Sequence, residues 1–420
     1  MEMEISKILM GFLTVFGVLF TIYSAYYVLI ALFGLRQVKA APRREAKTRF
    51  ALLVAARNEE AVIGELCDSL AAQDYPRELY DVIVAPNNCT DDTRGQALRH
   101  GAAVFDPEGP VSSKGEVLSQ LVSELLIDDK YDAICVFDAD NLVHPAFLQS
   151  MNDAYANGAQ AAQSFRDSKN PRDTAISAAS SAWYWMLSRF YNGGRQKLGL
   201  SSLVNGSGFM VSTALLRRMG GWHTHTMTED YEFTAQCLLA GERVHYVPSA
   251  IIYDEQPLDF GATWKQRRRW CTGGVQGAAR YLRPLAAKGL RQRSCALLDL
   301  SLTYLMPYLQ LPSLVFGAVS FGYFATRAVH MGLLGPGQLL AAVVLLALAA
   351  GCFLAFVALL VQKLGRGRVL PGTIGGIFFF PLYVLSWTPI TVISLFSKQK
   401  SWEPIAHTRR VSMGQMGHAA

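Results

Sequence analysis

The chain has 420 residues, 51% of them hydrophobic and 17% charged, with a formal net charge of +6. Its basic residues gather beside apolar segments instead of forming a stripe, which excludes a nucleic-acid binder and points to anionic lipid headgroups. The seven cysteines, at 67, 89, 135, 237, 271, 295 and 352, are odd in number and contain no CxxC pair. That pattern excludes a disulfide framework and a zinc site and suits a reducing cytoplasm.

The first apolar run, Ile8 to Leu35, has no charged side chain across 28 positions, and about 20 apolar residues suffice for a helix to cross a bilayer. It is too long for the core of a cleaved secretory signal. Arg36, Lys39, Arg43, Arg44, Lys47 and Arg49 follow. Positive flanks stay in the cytoplasm, so the soluble stretch after them is expected to face the cytoplasm.

That stretch opens with the apolar run 50–56, and a helical pattern then passes through Ala61, Ile63, Leu66 and Leu70. The cycle repeats from Asp81 to Leu98, and again from Ala102 through a helix over 114–126 to a strand ending at Phe137. Alternating strands and helices predict a mostly parallel sheet covered on both faces. Ligands of such sheets bind beyond the carboxyl ends of the strands.

Asp138 and Asp140 stand at such an end, and hard cations such as Mg2+ or Mn2+ prefer their carboxylate oxygens, completed by phosphate and water. Aspartates of an ordinary turn would look the same. Downstream, Thr228 precedes a helical pattern as a cap, with Glu229 and Asp230 loading its first turn; alternatively Asp230 is a general base for an attacking hydroxyl. The segment Gln266-Arg267-Arg268-Arg269-Trp270 reads as an amphipathic helix at a membrane surface. It equally offers an indole face for a sugar ring and guanidinium forks for phosphate.

Three further apolar segments, about 298–326, 337–362 and 372–396, are each long enough to span. Lys398, Lys400, Arg409 and Arg410 after the last one argue for an internal C-terminus, which an odd number of crossings would not give. The segment expected not to cross is the first, because it contains Asp299, Pro307 and Pro312.

In this order, Asp138-Ala139-Asp140, Thr228-Glu229-Asp230 and Gln266-x-x-Arg269-Trp270 resemble the membrane-bound family 2 glycosyltransferases, which include cellulose, chitin, hyaluronan and poly-N-acetylglucosamine synthases. The resemblance implies a GT-A-type, Rossmann-like α/β domain plus transmembrane helices. It also implies a nucleotide-diphosphate sugar donor, a divalent metal at Asp140 and Asp138, and inverting transfer with Asp230, flanked by Glu229, as the base. By the same resemblance Gln266, Arg269 and Lys114 lie near the nucleotide diphosphate, Asp138 near nucleotide or metal, and Trp270 under the acceptor. The loop holding Gly206 and Ser207 lies beside the acceptor too, and the tail 402–409 resembles a loop that closes over the nucleotide.

Asn87 stands where the family usually has an Asp that holds uracil, with Asp91 as an alternative. The aromatic stretch 174–192 is expected to pack on the sheet or the membrane, or else to touch an acceptor. The resulting organisation is an anchor at 1–36, a basic linker at 37–49, the GT-A domain at 50–260 and interfacial helices at 261–297. A membrane region at 298–397 with two or three spans and a tail at 398–420 complete it. The expected reaction adds a UDP-linked hexose or N-acetylhexosamine to a growing polysaccharide, with passage across the membrane; the alternative is a single addition to a lipid-linked acceptor.

Overall fold

The computed structural model describes residues 2–109, 111–333, 335–366, 373–397 and 409–418. A long apolar helix, α1 (Glu2–Gly34), leads into a domain that begins β1 (Phe50–Ala56), α2 (Ile63–Ala71), β2 (Tyr80–Pro86), α3 (Thr93–Arg99), β3 (Ala103–Val104), α4 (Lys114–Leu125) and β4 (Ala133–Asp138). It continues through β5 (Leu142–Val143), α5 (Phe147–Ala156), β6 (Ala161–Ser168), α6 (Ala175–Met186), a π-helical turn over Leu187–Asn192 and α7 (Gly193–Lys197). β7 (Phe209–Ser212), α8 (Thr213–Met219), α9 (Glu229–Leu239) and β8 (Val244–Asp254) close it. The rest is helical: α10 (Phe260–Gln292), α11 (Cys295–His330), α12 (Pro336–Arg366), α13 (Ile374–Leu385), α14 (Trp387–Leu395) and α15 (Met413–His418).

The eight strands form one sheet in the order β3-β2-β1-β4-β7-β6-β8-β5. Its first half is parallel, as the alternating pattern predicts, but β7 runs antiparallel to both β4 and β6, and β5 antiparallel to β8. The sheet is therefore mixed, because β7 enters only after the long excursion through α6 and α7. Phe50, Leu52 and Val54 of β1 join one apolar cluster and Ala51 and Leu53 the other. Burial on both faces explains why this strand reads as an unbroken apolar run.

Among the described residues, four helical stretches are long and apolar enough to cross a membrane: Leu9–Gly34, Cys295–His330, Pro336–Lys363 and Ile374–Leu395. The segment marked by Asp299, Pro307 and Pro312 is an unbroken helix of 36 residues. Asp299 lies in the second turn of α11, where Arg195 grips it bidentately at 2.8 and 3.1 Å and Tyr26 of α1 donates to it at 2.6 Å. A buried charge is tolerated when it is paired and hydrogen-bonded in this way. The interrupted stretch is the last one, which breaks between α13 and α14 at Ser386. There Arg267 of α10 donates to the Tyr383 carbonyl and the Ser386 hydroxyl, both at 2.7 Å. The expected interfacial helices are one helix of 33 residues that tolerates Pro284.

Candidate active site

Strand β4 ends at Asp138, and the Asn141 amide closes a turn onto the Asp138 carbonyl at 3.1 Å. Strand alternation therefore does not persist through Ala139 and Asp140; the two carboxylates are splayed by the turn, still at the carboxyl edge of the sheet. Lys114, the first residue of α4, pairs its ammonium with Asp138, donates to the Gly206 carbonyl at 2.8 Å and stands 3.6 Å from Glu229. Gly206 has φ +80°, and a methyl group there would sit 3.6 Å from an Asp230 carboxylate oxygen and 3.8 Å from one of Asp138. Those are ordinary contact distances, so it is the left-handed backbone that favours glycine here.

Asp230 lies in the first turn of α9, and what precedes that helix is held from behind. Buried Glu232 accepts from the amides of His225 and Thr226 at 2.7 Å each and from the Tyr281 hydroxyl of α10 at 2.8 Å. Thr228 does not cap the helix through its side chain; its hydroxyl lies against Gly273 of α10, where a Cβ would come within 2.5 Å of it. Gly273 thus lets the helix carrying Gln266, Arg269 and Trp270 approach the one carrying Asp230. Gln266, Arg269 and Trp270 are half-buried on α10, and Arg269 is near enough to act electrostatically on Asp138.

Trp270 meets Tyr184 edge-on at 6.1 Å and stacks on Trp387 at 6.0 Å. The aromatic stretch thus packs on both neighbours, since Trp185 joins a cluster with Phe165 of the sheet and Phe380 of α13. Ser207 is placed behind the site: its hydroxyl is buried, donates to Asn141 and accepts from the Asp138 amide at 2.9 Å. Asn87, nearly buried, continues β2 at the same sheet edge, its amide bonded to the Ala56 carbonyl at 2.8 Å. Asp91 is tied within its loop by Thr93 and the Glu60 amide. The stretch 402–408 lies outside the described residues.

Three contributors have no counterpart in the sequence reading. Arg166 of β6 pairs with Asp254 at the end of β8 and donates to the Asn205 carbonyl at 2.5 Å. Asn141 links the same Asp254, at 3.0 Å, to Asp140, at 3.4 Å. The signal for Asp254 was an apolar strand ending in an acid, the same signature as Asp138; Arg166 inside a strand left none.

Residues 47–273, just over half of the chain, match the family described as glycosyltransferase like family 2. The chain belongs to this family. It is a glycosyltransferase with a GT-A fold, and a mannosyltransferase from Pyrobaculum calidifontis, solved with GDP-mannose and Mn2+, shares that fold. The two superpose with a TM-score of 0.61 at 20% identity over 92% of this chain and 99% of the other. A probable glycosyltransferase of Bacillus subtilis, YdaM, is 26% identical over 56% of this chain and 57% of its own length. A β-monoglucosyldiacylglycerol synthase of Synechocystis is 27% identical over 68% of this chain and 63% of its own. The chain therefore spans about three-fifths of the length of these relatives.

Among the described residues of this glycosyltransferase, five carboxylates (Asp138, Asp140, Glu229, Asp230 and Asp254) share the site with three cations, Lys114, Arg166 and Arg269. Burial, with Glu229 adding its charge, pushes Asp230 up to about 7. Burial, with Asp140 beside it, likewise pushes Asp254 up to about 7 against the pull of Arg166. At Asp138 burial is outweighed by Lys114 and Arg166, which hold the carboxyl below its usual range. The imbalance suits a divalent cation, and every candidate donor is a hard oxygen. Among the described residues no three His, Cys, Asp or Glu side chains form a ready-made cage. Such sites commonly complete the shell with substrate phosphate.

Proposed function

We propose that the enzyme transfers one sugar from a nucleoside-diphosphate donor, UDP-linked by the family resemblance, to the hydroxyl of a lipid-linked acceptor, with inversion at the anomeric carbon. The observation that carries this reading is the convergence of Asp138, Lys114, Gly206 and Asp230, linked through Arg166 to the aromatic cluster of Tyr184, Trp270 and Trp387. The acceptor hydroxyl attacks the anomeric carbon, its proton passes to Asp230, and the breaking C–O bond leaves its electron pair on the diphosphate. Lys114, Arg269 and Gln266 hold the diphosphate, and Asn87 faces the base with both a donor and an acceptor. Mg2+ or Mn2+, held by Asp140 and Asp138, would supply charge stabilisation to the leaving diphosphate.

Two features favour a single addition over a polymer. Trp387 fills the space against one face of Trp270, and the relative from Synechocystis is named for a glycolipid product. The direct test supplies purified protein with Mn2+, a panel of UDP- and GDP-linked sugars, and diacylglycerol or a monoglycosyl lipid in nanodiscs. Nucleotide release with a lipid one sugar heavier is expected. A ladder of long saccharides would sink the single-addition reading.

The same proposal places the catalytic domain in the cytoplasm, with α1, α11 and α12 crossing and α13–α14 lying against the domain. Arg409 pairs with Asp173 and its amide reaches Glu255 at 3.3 Å, while Arg410 donates to the Ala61 carbonyl at 2.8 Å. The tail thus touches the catalytic domain, which requires an even number of crossings between them. Of the three stretches available the last is the most enclosed, 39% buried against 11% and 17%. Alkaline phosphatase fused at the C-terminus is expected to be inactive and green fluorescent protein there to glow, whereas phosphatase inserted at 331–335 should be active. An active C-terminal phosphatase fusion would reject this topology.

A further inference from the structure

A cavity of about 280 Å³ lies behind β6, away from the catalytic carboxylates. Successive strand residues point to opposite faces; Phe165 lines the cavity, whereas Arg166 reaches Asp254. Its walls divide by chemistry, with Arg36, Arg189 and Gln362 among the polar lining and Phe165, Trp185 and Val361 among the apolar. Among the described residues no acidic one lines it.

Its level in the molecule is set by two helices. The apolar stretch of α1 ends at Gly34 and that of α12 at Lys363, and residues at both ends line the cavity. A site at the ends of two membrane-crossing helices lies where headgroups meet acyl chains. Its frame is tightly built: a methyl group on Gly34 would come 2.6 Å from the Arg189 carbonyl, so α1 and the π-helical turn are in direct backbone contact. Arg189 also donates to the Leu35 carbonyl at 2.9 Å. π-helical turns are often found at functional sites. Arg36 and Arg189, which both line the cavity, are also both near enough to Lys197 to lower its basicity after burial.

We propose that this cavity binds the headgroup of an anionic glycerophospholipid, its phosphate between Arg36 and Arg189 and the start of its acyl chains against Phe165, Trp185 and Val361. The chains then run along exposed apolar side chains of the two helices, Leu32 and Phe33 on α1 and Leu354 and Leu360 on α12. Basic pockets between transmembrane helices on the cytoplasmic side favour such headgroups. The ligand is neither donor nor acceptor, so the proposal stands apart from the reaction assigned above and requires only that α1 and α12 cross.

The test reconstitutes the full-length protein in equal amounts of phosphatidylglycerol and phosphatidylcholine and counts retained lipids by native mass spectrometry. Phosphatidylglycerol adducts should dominate, and Arg36→Gln, an exposed side chain outside the catalytic machinery, should reduce them about fivefold. Arg36→Gln/Arg189→Gln should reduce them further. The charge-matched pair Lys39→Gln/Arg43→Gln, in the same linker but outside the cavity, should leave them unchanged. Equal retention of the two lipids, or equal loss in the control pair, overturns the proposal. Displacement by excess soluble glycerol phosphate also overturns it, because the site would then take free phosphate.

Discussion

Asp230→Asn is expected to lower kcat by about 10² to 10⁴, the contribution of a positioned general base, while donor affinity stays within a few-fold of the unaltered enzyme. The amide preserves shape and still fits beside Gly206, but it cannot take the proton of the attacking hydroxyl. The measurement pairs steady-state nucleotide release with calorimetric donor binding; turnover within a few-fold of normal would remove Asp230 as the base. A pH signature accompanies it. Burial and the neighbouring Glu229 push Asp230 up to about 7, and a base works only when deprotonated. At limiting metal, kcat/KM should therefore fall as pH drops through about 7. Glu229→Gln removes one of the charges that raise Asp230, so the acidic limb should move to lower pH.

How far the sequence foretold this site differs residue by residue. Strand-end acids, the glycine loop and the order of the three motifs were legible because each is local: a run of apolar residues that ends in a carboxylate already implies a sheet edge. Asp138, Lys114, Gly206 and Asp230 do converge. What stayed hidden depends on partners far along the chain. Arg166 and Asp254 are 88 residues apart, and only the β6–β8 pairing brings them under the site. Ser207 looked like part of an acceptor loop, yet the β4 edge turns its hydroxyl inward. Asp299 is a third case: its charge argues against a span, and its partner Arg195, 104 residues away, is invisible in the local sequence.

Chelation is expected to abolish nucleotide release, and Mn2+ or Mg2+ to restore it. Asp140→Asn should lower kcat/KM by about 10³ at the metal concentration that saturates the unaltered enzyme, a loss of several kcal/mol of charge stabilisation. The argument rests on imbalance. Lys114 and Arg269 act on Asp138, and Arg166 is shared between Asp254 and Asp138. Asp140 is almost fully buried at the same edge and accepts from the Glu255 amide and the Asn141 side chain. Mn2+ binding read by electron paramagnetic resonance in the presence of nucleoside diphosphate gives a readout independent of turnover, and Asp140→Asn should weaken it in step. Full activity after chelation, or normal Mn2+ affinity in the variant, would show that the three basic residues alone balance the leaving diphosphate. A cation among these carboxylates also favours the ionised form of its neighbours. Saturating metal should therefore draw the acidic limb of Asp230 below its position at limiting metal, which couples metal occupancy to readiness of the base.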